Sequence, residues 1–294
     1  MKDSFKRFLD VIFQSSQMAT FVNGASNIEL YVDNLEKNEF IEIAEEIGTI
    51  PESINASSTE EKMFSKASDI VLARCFRELG MRSKAVTGRG DSADVIAESI
   101  HGYSLVADAK AFRLSRTAKN QKDFKVGSLS SWRGSEHDYA VLVAPYFQYP
   151  ISESQIYFDS LEKNVCILSW EHILFLIKNN KIEDINFNLE NIWDAPKRIQ
   201  RDHNIQFTNR KMNLFPYTNE IFIKKCNIIN SIFNMYLDEC KRIIVNRSID
   251  EKQTITNEIN EITSLTREEA INKLLAAKKT TERIDAIDRF ISSL

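Results

Sequence analysis

The stretch "YSLVADAKAF", Tyr103 to Phe112, carries an acid and a lysine in a run that is otherwise almost wholly apolar. Only Ala109 separates Asp108 from Lys110. In an extended chain residues i and i+2 point to the same side of a sheet, so both charges share one face of what reads as a half-buried strand. Burying opposite charges without further partners is costly, and a metal ion or an anionic substrate supplies such partners. A strand of this kind marks the middle of a sheet and the place to look for chemistry.

Upstream, Asp94 opens a short apolar strand, Val95 to Ala97, and a turn around His101-Gly102 joins it to the quoted strand. An antiparallel hairpin of that length brings Asp94 opposite Asp108. Two carboxylates on adjacent strands make a hard, oxygen-rich site suited to Mg²⁺, which keeps several waters and takes one or two carboxylates. The carbonyl of Ala109 offers a third oxygen. Lys110 then stands beside a water that it can orient or deprotonate, and its charge can stabilise a phosphorane-like transition state. The metal would polarise a phosphoryl oxygen and lower the water's pKa. Glu61, on the preceding helix, is expected to reach the same site. The reaction pointed to is in-line hydrolysis of a phosphodiester. The plainer reading of the spacing is a surface ion pair contributing less than about 1 kcal/mol.

Downstream, "KAFRLSRTAKNQKDFKVGSLSSWR" holds seven Lys or Arg and one acid, Asp123, in a chain whose net charge is −4. A local reversal of this kind is the footprint of phosphate contacts. Arg113, Arg116, Lys119, Asn120, Gln121, Lys122 and Lys125 are residue types that contact phosphates or read guanine and adenine edges in the major groove. A solvated helix face is the alternative use of such a charge run.

Hydrophobic periodicity fills in the rest. Residues 1 to about 50 read as two or three helices, and the helix opened by Ser58 and Glu61 in capping-box spacing ends near Gly80. After the quoted strand come a basic helix over Thr117–Trp132, a strand over Tyr139–Phe147 and a short helix over Ser152–Leu161. A strand over Asn164–Trp170 and the helix "EHILFLIKNN" follow. The order is helix, strand, strand, strand, helix, strand, helix, strand, helix: an α/β (α+β) fold with a mixed sheet flanked by helices. Beyond Asn204 only helices are expected: an Ile-rich one over Ile221–Val245, one opened by Thr266 and Glu269, and a last one carrying Ile284, Ile287, Phe290 and Ile291. The expected organisation is a helical segment at 1–55, a catalytic core at 56–200 and a helical region at 201–294. There is no internal repeat and no low-complexity tract.

The composition, 43% hydrophobic and 27% charged, is that of a soluble globular chain, and its acidity excludes a generally basic nucleic-acid coat protein. Cys75, Cys166, Cys226 and Cys240 form no C-x-x-C pair and read as buried thiols, which suits a reducing bacterial cytoplasm. "MKDSFKRFLDVIF" is an amphipathic helix interrupted by Asp10, not a signal peptide, and no segment is apolar enough to span a membrane. His101, His137, His172 and His203 show no metal-ligand spacing, and Trp132, Trp170 and Trp193 read as core anchors. "GRGDS" and the sequon Asn246-Arg247-Ser248 have no meaning without secretion.

The runs "SSTEEKMFSKASDIVLA", "DVIAESIHGYSLVADAKAFRLSRTAKNQKDFKV" and "DYAVLVAPYFQYPISESQI" closely resemble the HindIII group of type II restriction endonucleases. The resemblance is dense from Ser57 to Ile156 and thins in the N-terminal helices and after Trp193. It implies the PD-(D/E)xK restriction-endonuclease-like core, with Asp94 and Asp108 as the metal-binding acids, Lys110 as the motif lysine and Glu61 as the helix glutamate. Ala93 stands where the general motif has proline. The resemblance further implies a Mg²⁺-dependent homodimer that cuts double-stranded DNA at AAGCTT after the first A, leaving 5′ overhangs. A two-fold dimer matches a two-fold site. Arg113 to Lys125 would be the main major-groove reader. A companion methyltransferase would recognise the same site without needing to touch this protein. Two alternatives remain open: a structure-specific nuclease on the same core, such as a junction resolvase, and a catalytically silent DNA-binding protein.

Overall fold

The computed structural model describes residues 1–86, 92–116, 121–205 and 209–277, with positions 284 and 287. These residues form a five-stranded sheet in the order β1-β2-β3-β4-β5, with strands Arg82–Ala85, Val95–Glu98, Ser104–Ala109, Tyr139–Ala144 and Val165–Ser169. β1, β2 and β3 run antiparallel, whereas β3, β4 and β5 run parallel, so the sheet is mixed as expected. Parallel neighbours need crossovers, and helices supply them. Helices α5 (Gln121–Phe124) and α6 (Val126–Arg133) lie between β3 and β4, and α7 (Gln155–Lys163) lies between β4 and β5. Strands β3, β4 and β5 are buried along almost their whole length, which is why they read as continuous apolar runs.

Ahead of the sheet come α1 (Asp3–Ser16), α2 (Phe21–Asp33), α3 (Lys37–Glu46) and the long α4 (Thr59–Glu78). Helix α4 packs on β1, β2 and β3, and α1 and α2 pack on α4. Its start is fixed by Ser58, whose hydroxyl accepts from the Glu61 amide at 3.1 Å. Its end is fixed by Gly80 at φ +88°, where a Cβ would lie 2.6 Å from the Glu183 carbonyl oxygen. After β5 come α8 (Trp170–Lys178), α9 (Glu190–Trp193), α10 (Ala195–His203), α11 (Phe215–Cys226), α12 (Asn230–Ser264) and α13 (Arg267–Ala277). Thr266 and Glu269 cap α13 reciprocally. The chain forms two compact units, 1–247 and 248–294.

Several sequence expectations change. Strand β1 had no range in the sequence reading: "RSKA" is a largely exposed edge strand with no apolar alternation to betray it. The basic helix over Thr117–Trp132 is two short helices within the described residues, because Lys125 takes the left-handed conformation at φ +45° and ends α5. The Ile-rich helix over Ile221–Val245 is broken by Asn227 at φ +51°, between α11 and α12. The helix expected from Ser152 starts at Gln155, with Ser154 as its cap. Cys75, Cys166 and Cys226 are buried, but Cys240 is only partly so. Trp170 and Trp193 are core residues, while Trp132 packs at the core's edge. Among the described residues no helix is long and apolar enough to cross a membrane.

Candidate active site

The hairpin β2–β3 pairs Val95 with Ala107, and the next step of the same register sets Asp94 against Asp108. Opposite residues of an antiparallel pair project to the same face. The Asp94 carboxylate therefore meets that of Asp108 at the point where β3 leaves the sheet. Lys110 lies just past β3; its amide donates to the Val143 carbonyl at 2.7 Å, which carries the β3–β4 ladder one residue further. Its Nζ pairs with Asp108 Oδ2. The indole of Trp170 donates to the Lys110 carbonyl at 3.0 Å and fixes the exit of the chain. Phe112 is then bonded both ways to the Gly48–Ile50 segment. Asp108 is only 1% exposed, so this is no surface ion pair.

A third acid joins from α4. Asp69 presents a carboxylate oxygen within 4.8 Å of those of Asp94 and Asp108. The sequence reading named Glu61 for this place. Glu61 instead accepts from Arg113 at 2.7 Å and from the Ser57 amide at 2.6 Å. It lies eight residues before Asp69, about 12 Å along the helix axis. The signal for Asp69 was present but faint: Lys66 and Asp69 form an i,i+3 charged pair set among Met63, Phe64, Ala67, Ile70 and Val71, which are all buried. A charged pair inside an apolar stripe needs a reason to be there.

These groups line a cleft of about 440 Å³ together with Lys62, Ser65, Lys66, Val86, Ala109, Lys110 and Lys125. Burial drives the Asp69 carboxyl well above its ordinary range, with the neighbouring Asp94 charge adding to the effect and Lys66 opposing it. Burial likewise raises Asp108, to about 6; Lys110 opposes the rise and Asp94 reinforces it. Asp108 Oδ2 meets Lys110 Nζ but has no well-directed hydrogen bond. Three hard carboxylates brought together at one end of the cleft, the most buried of them balanced, among the described residues, only by Lys110, are a donor set that fits a divalent cation.

Of the residues expected to meet DNA, Arg113, Arg116 and Lys125 lie beside the acidic cleft or on its edge. Arg113 donates to Glu61 and, at 2.9 Å, to the Pro51 carbonyl. Arg116 pairs with Asp123 and lies 4.0 Å over the Phe112 ring. Both line a neighbouring cleft of about 660 Å³. Lys125 borders the acidic cleft itself, with Nζ 5.6 Å from the Trp132 ring. Gln121 and Lys122 fall on α5. Lys119 and Asn120 lie outside the described residues.

Comparison with known proteins gives this geometry a setting. Among solved structures, the restriction endonuclease FokI aligns with 51% of this chain and 29% of its own, at 15% identity and a TM-score of 0.33. The type II restriction enzyme HindIII of Haemophilus influenzae (strain ATCC 51907 / DSM 11121 / KW20 / Rd) is 41% identical over 294 residues, which is all of this chain and 97% of that enzyme. The profile of the HindIII restriction endonuclease family matches residues 15–291, a span that takes in α4, the sheet and the acidic cleft. With two acids on adjacent strands, a lysine two residues on, and similarity running the whole length, the chain belongs to the HindIII restriction endonuclease family.

Proposed function

We propose that this protein is a Mg²⁺-dependent type II restriction endonuclease that cuts double-stranded DNA at AAGCTT after the first A, leaving 5′ overhangs. The observation that carries the reading is the convergence of Asp69, Asp94 and Asp108 beside Lys110 at the end of β3, in a chain 41% identical to a type II restriction enzyme.

The three carboxylates and the Ala109 carbonyl would hold Mg²⁺. Bound there, the ion supplies Lewis-acid polarisation of the phosphoryl group and a lowered pKa for water. The chain does the rest. Trp170 and the Val143 carbonyl fix the backbone on either side of the Lys110 side chain, so its Nζ is held at the cleft and not free on the surface. From there Nζ orients a water by donating to it and offsets the negative charge that builds on the phosphate. Lys125 at the cleft's edge, and Arg113 and Arg116 beside it, hold the DNA backbone in register. Lys119, Asn120, Gln121 and Lys122 complete the groove-reading segment. Glu61 acts at one remove, by setting Arg113.

The assembly proposed is a homodimer, one subunit per strand. The 248–294 unit favours it, since Ile255, Ile259 and Ile262 recur on one face of α12 and are 37%, 56% and 43% exposed. A companion methyltransferase would protect the same sequence without needing to touch this chain, and the pair would work in a bacterial cytoplasm. Digestion of a sequenced plasmid with Mg²⁺ or with EDTA, followed by sequencing of the ends, tests the proposal. Discrete Mg²⁺-dependent fragments with AGCT overhangs are expected; random nicking, or no cutting, overturns it.

A further inference from the structure

Two lysines, not one, serve the acidic cluster. Lys110 faces Asp108, and Lys66 faces Asp69. Lys66 belongs to no catalytic signature and is 7% exposed. Its Nζ lies 3.5 Å from Asp69 Oδ2 and donates to the Val86 carbonyl at 2.6 Å. The Val86 amide in turn donates to the Asp94 carbonyl at 2.8 Å. One ammonium group thus reaches the acid on α4 and, through a single backbone step, the strand end that carries the second acid.

We infer that Lys66 is the built-in counter-charge of the metal-free site: it keeps Asp69 and the Asp94-bearing edge of the sheet together until a divalent cation takes over that task. The inference rests on the reading of the cluster as a cation site. Three carboxylates with oxygens within 4.8 Å repel one another wherever they are ionised, and Lys66 and Lys110 each offset part of that repulsion. A cation held by the Asp69 carboxylate, whose Oδ2 lies 3.5 Å from Lys66 Nζ, would be close enough to that ammonium for the two to repel. Lys66 therefore does two opposed things. It stabilises the empty site, and it loosens the grip of the filled one. It is a positioning residue and makes no contact with the reacting phosphate.

The test compares the full-length wild-type protein with Lys66→Met and with the double variant Lys66→Met/Asp69→Asn. Melting temperatures are read in EDTA and in saturating Mg²⁺, and Mg²⁺ binding is read by calorimetry without DNA. Lys66→Met should melt on the order of 10 °C lower in EDTA, as expected when one partner of a buried pair is lost. Mg²⁺ should recover most of that deficit, and so should Asp69→Asn in EDTA. The variant should bind Mg²⁺ at least about tenfold more tightly, because a nearby positive charge has gone. A deficit that is the same with and without Mg²⁺, and is untouched by Asp69→Asn, would mean that Lys66 only fills space. No deficit, or weaker Mg²⁺ binding, overturns the inference as well. If wild-type protein binds no Mg²⁺, the cation reading itself fails, while the EDTA comparison of single and double variants still decides the role of Lys66.

Discussion

Replacing Asp108 by asparagine should abolish cleavage and at the same time make the metal-free protein more stable. The side chain is 1% exposed, and burial raises its carboxyl from 3.8 to about 6, with Asp94 adding to the rise and Lys110 opposing it. The folded-state value lies above the unfolded one, so the fold favours the protonated form. This contribution to stability is complete below about pH 4 and is lost as the pH rises through about 6. The gap corresponds to about 3 kcal/mol at neutral pH. Asparagine has nearly the same shape and no charge, so it removes that cost. It also takes a partner from Lys110, whose side chain is 14% exposed, though Asp94 and Asp69 remain nearby. A net gain of about 1–2 kcal/mol is expected, or roughly 3–6 °C in melting temperature for a unit of this size. The assay is thermal unfolding in EDTA at pH 7.5 and at pH 4.5, with plasmid cleavage and binding to an AAGCTT duplex measured beside it. The gain should shrink at the lower pH, where the wild-type carboxyl is already protonated, and specific DNA binding should survive. A variant that melts at or below the wild type in EDTA at pH 7.5 would refute the claim that the site stores repulsion for a cation to relieve.

Lys110→Ala should reduce turnover at least about a hundredfold with the fold intact; unchanged turnover would move the catalytic role elsewhere. Burial lowers the His172 imidazole from 6.5 to about 4, while its Nε2 donates to Asn219 Oδ1 at 2.8 Å. Stability present above pH 6.5 should therefore fall by about 3 kcal/mol as the pH drops towards 4, and an NMR titration showing the ring protonating near its ordinary value would contradict this. On the proposed homodimer, Ile259→Glu should shift the protein towards monomer in light scattering; a dimer of undiminished stability would place the interface away from the 248–294 unit.

Local spacing decided much of what could be read in advance. Asp108 and Lys110 share a face because a strand alternates, and Asp94 meets Asp108 because a hairpin of known length has one register; neither statement needs a distant residue. The buried strands β3, β4 and β5 were legible for the same reason, as apolar runs bounded by turns. The edge strand β1 was not, since its inward positions hold only Ser83 and Ala85 and give no run of large apolar side chains. Nor were the breaks at Lys125 and Asn227, because a left-handed residue other than glycine leaves little mark on composition.

What the tertiary structure alone decided is which residues of α4 face the cleft. The sequence put acids at Glu61 and Asp69 on one helix, two turns apart. Only the docking of that helix on β1, β2 and β3 aims Asp69 and Lys66 at the carboxylates, and leaves Glu61 to Arg113. A helix's own hydrogen bonds fix its rise and its capping but not how far along a sheet it slides or how it is rolled. Those two numbers come from close packing between elements distant in sequence, and packing of that kind is written in the shapes of many side chains together rather than in the spacing of any few.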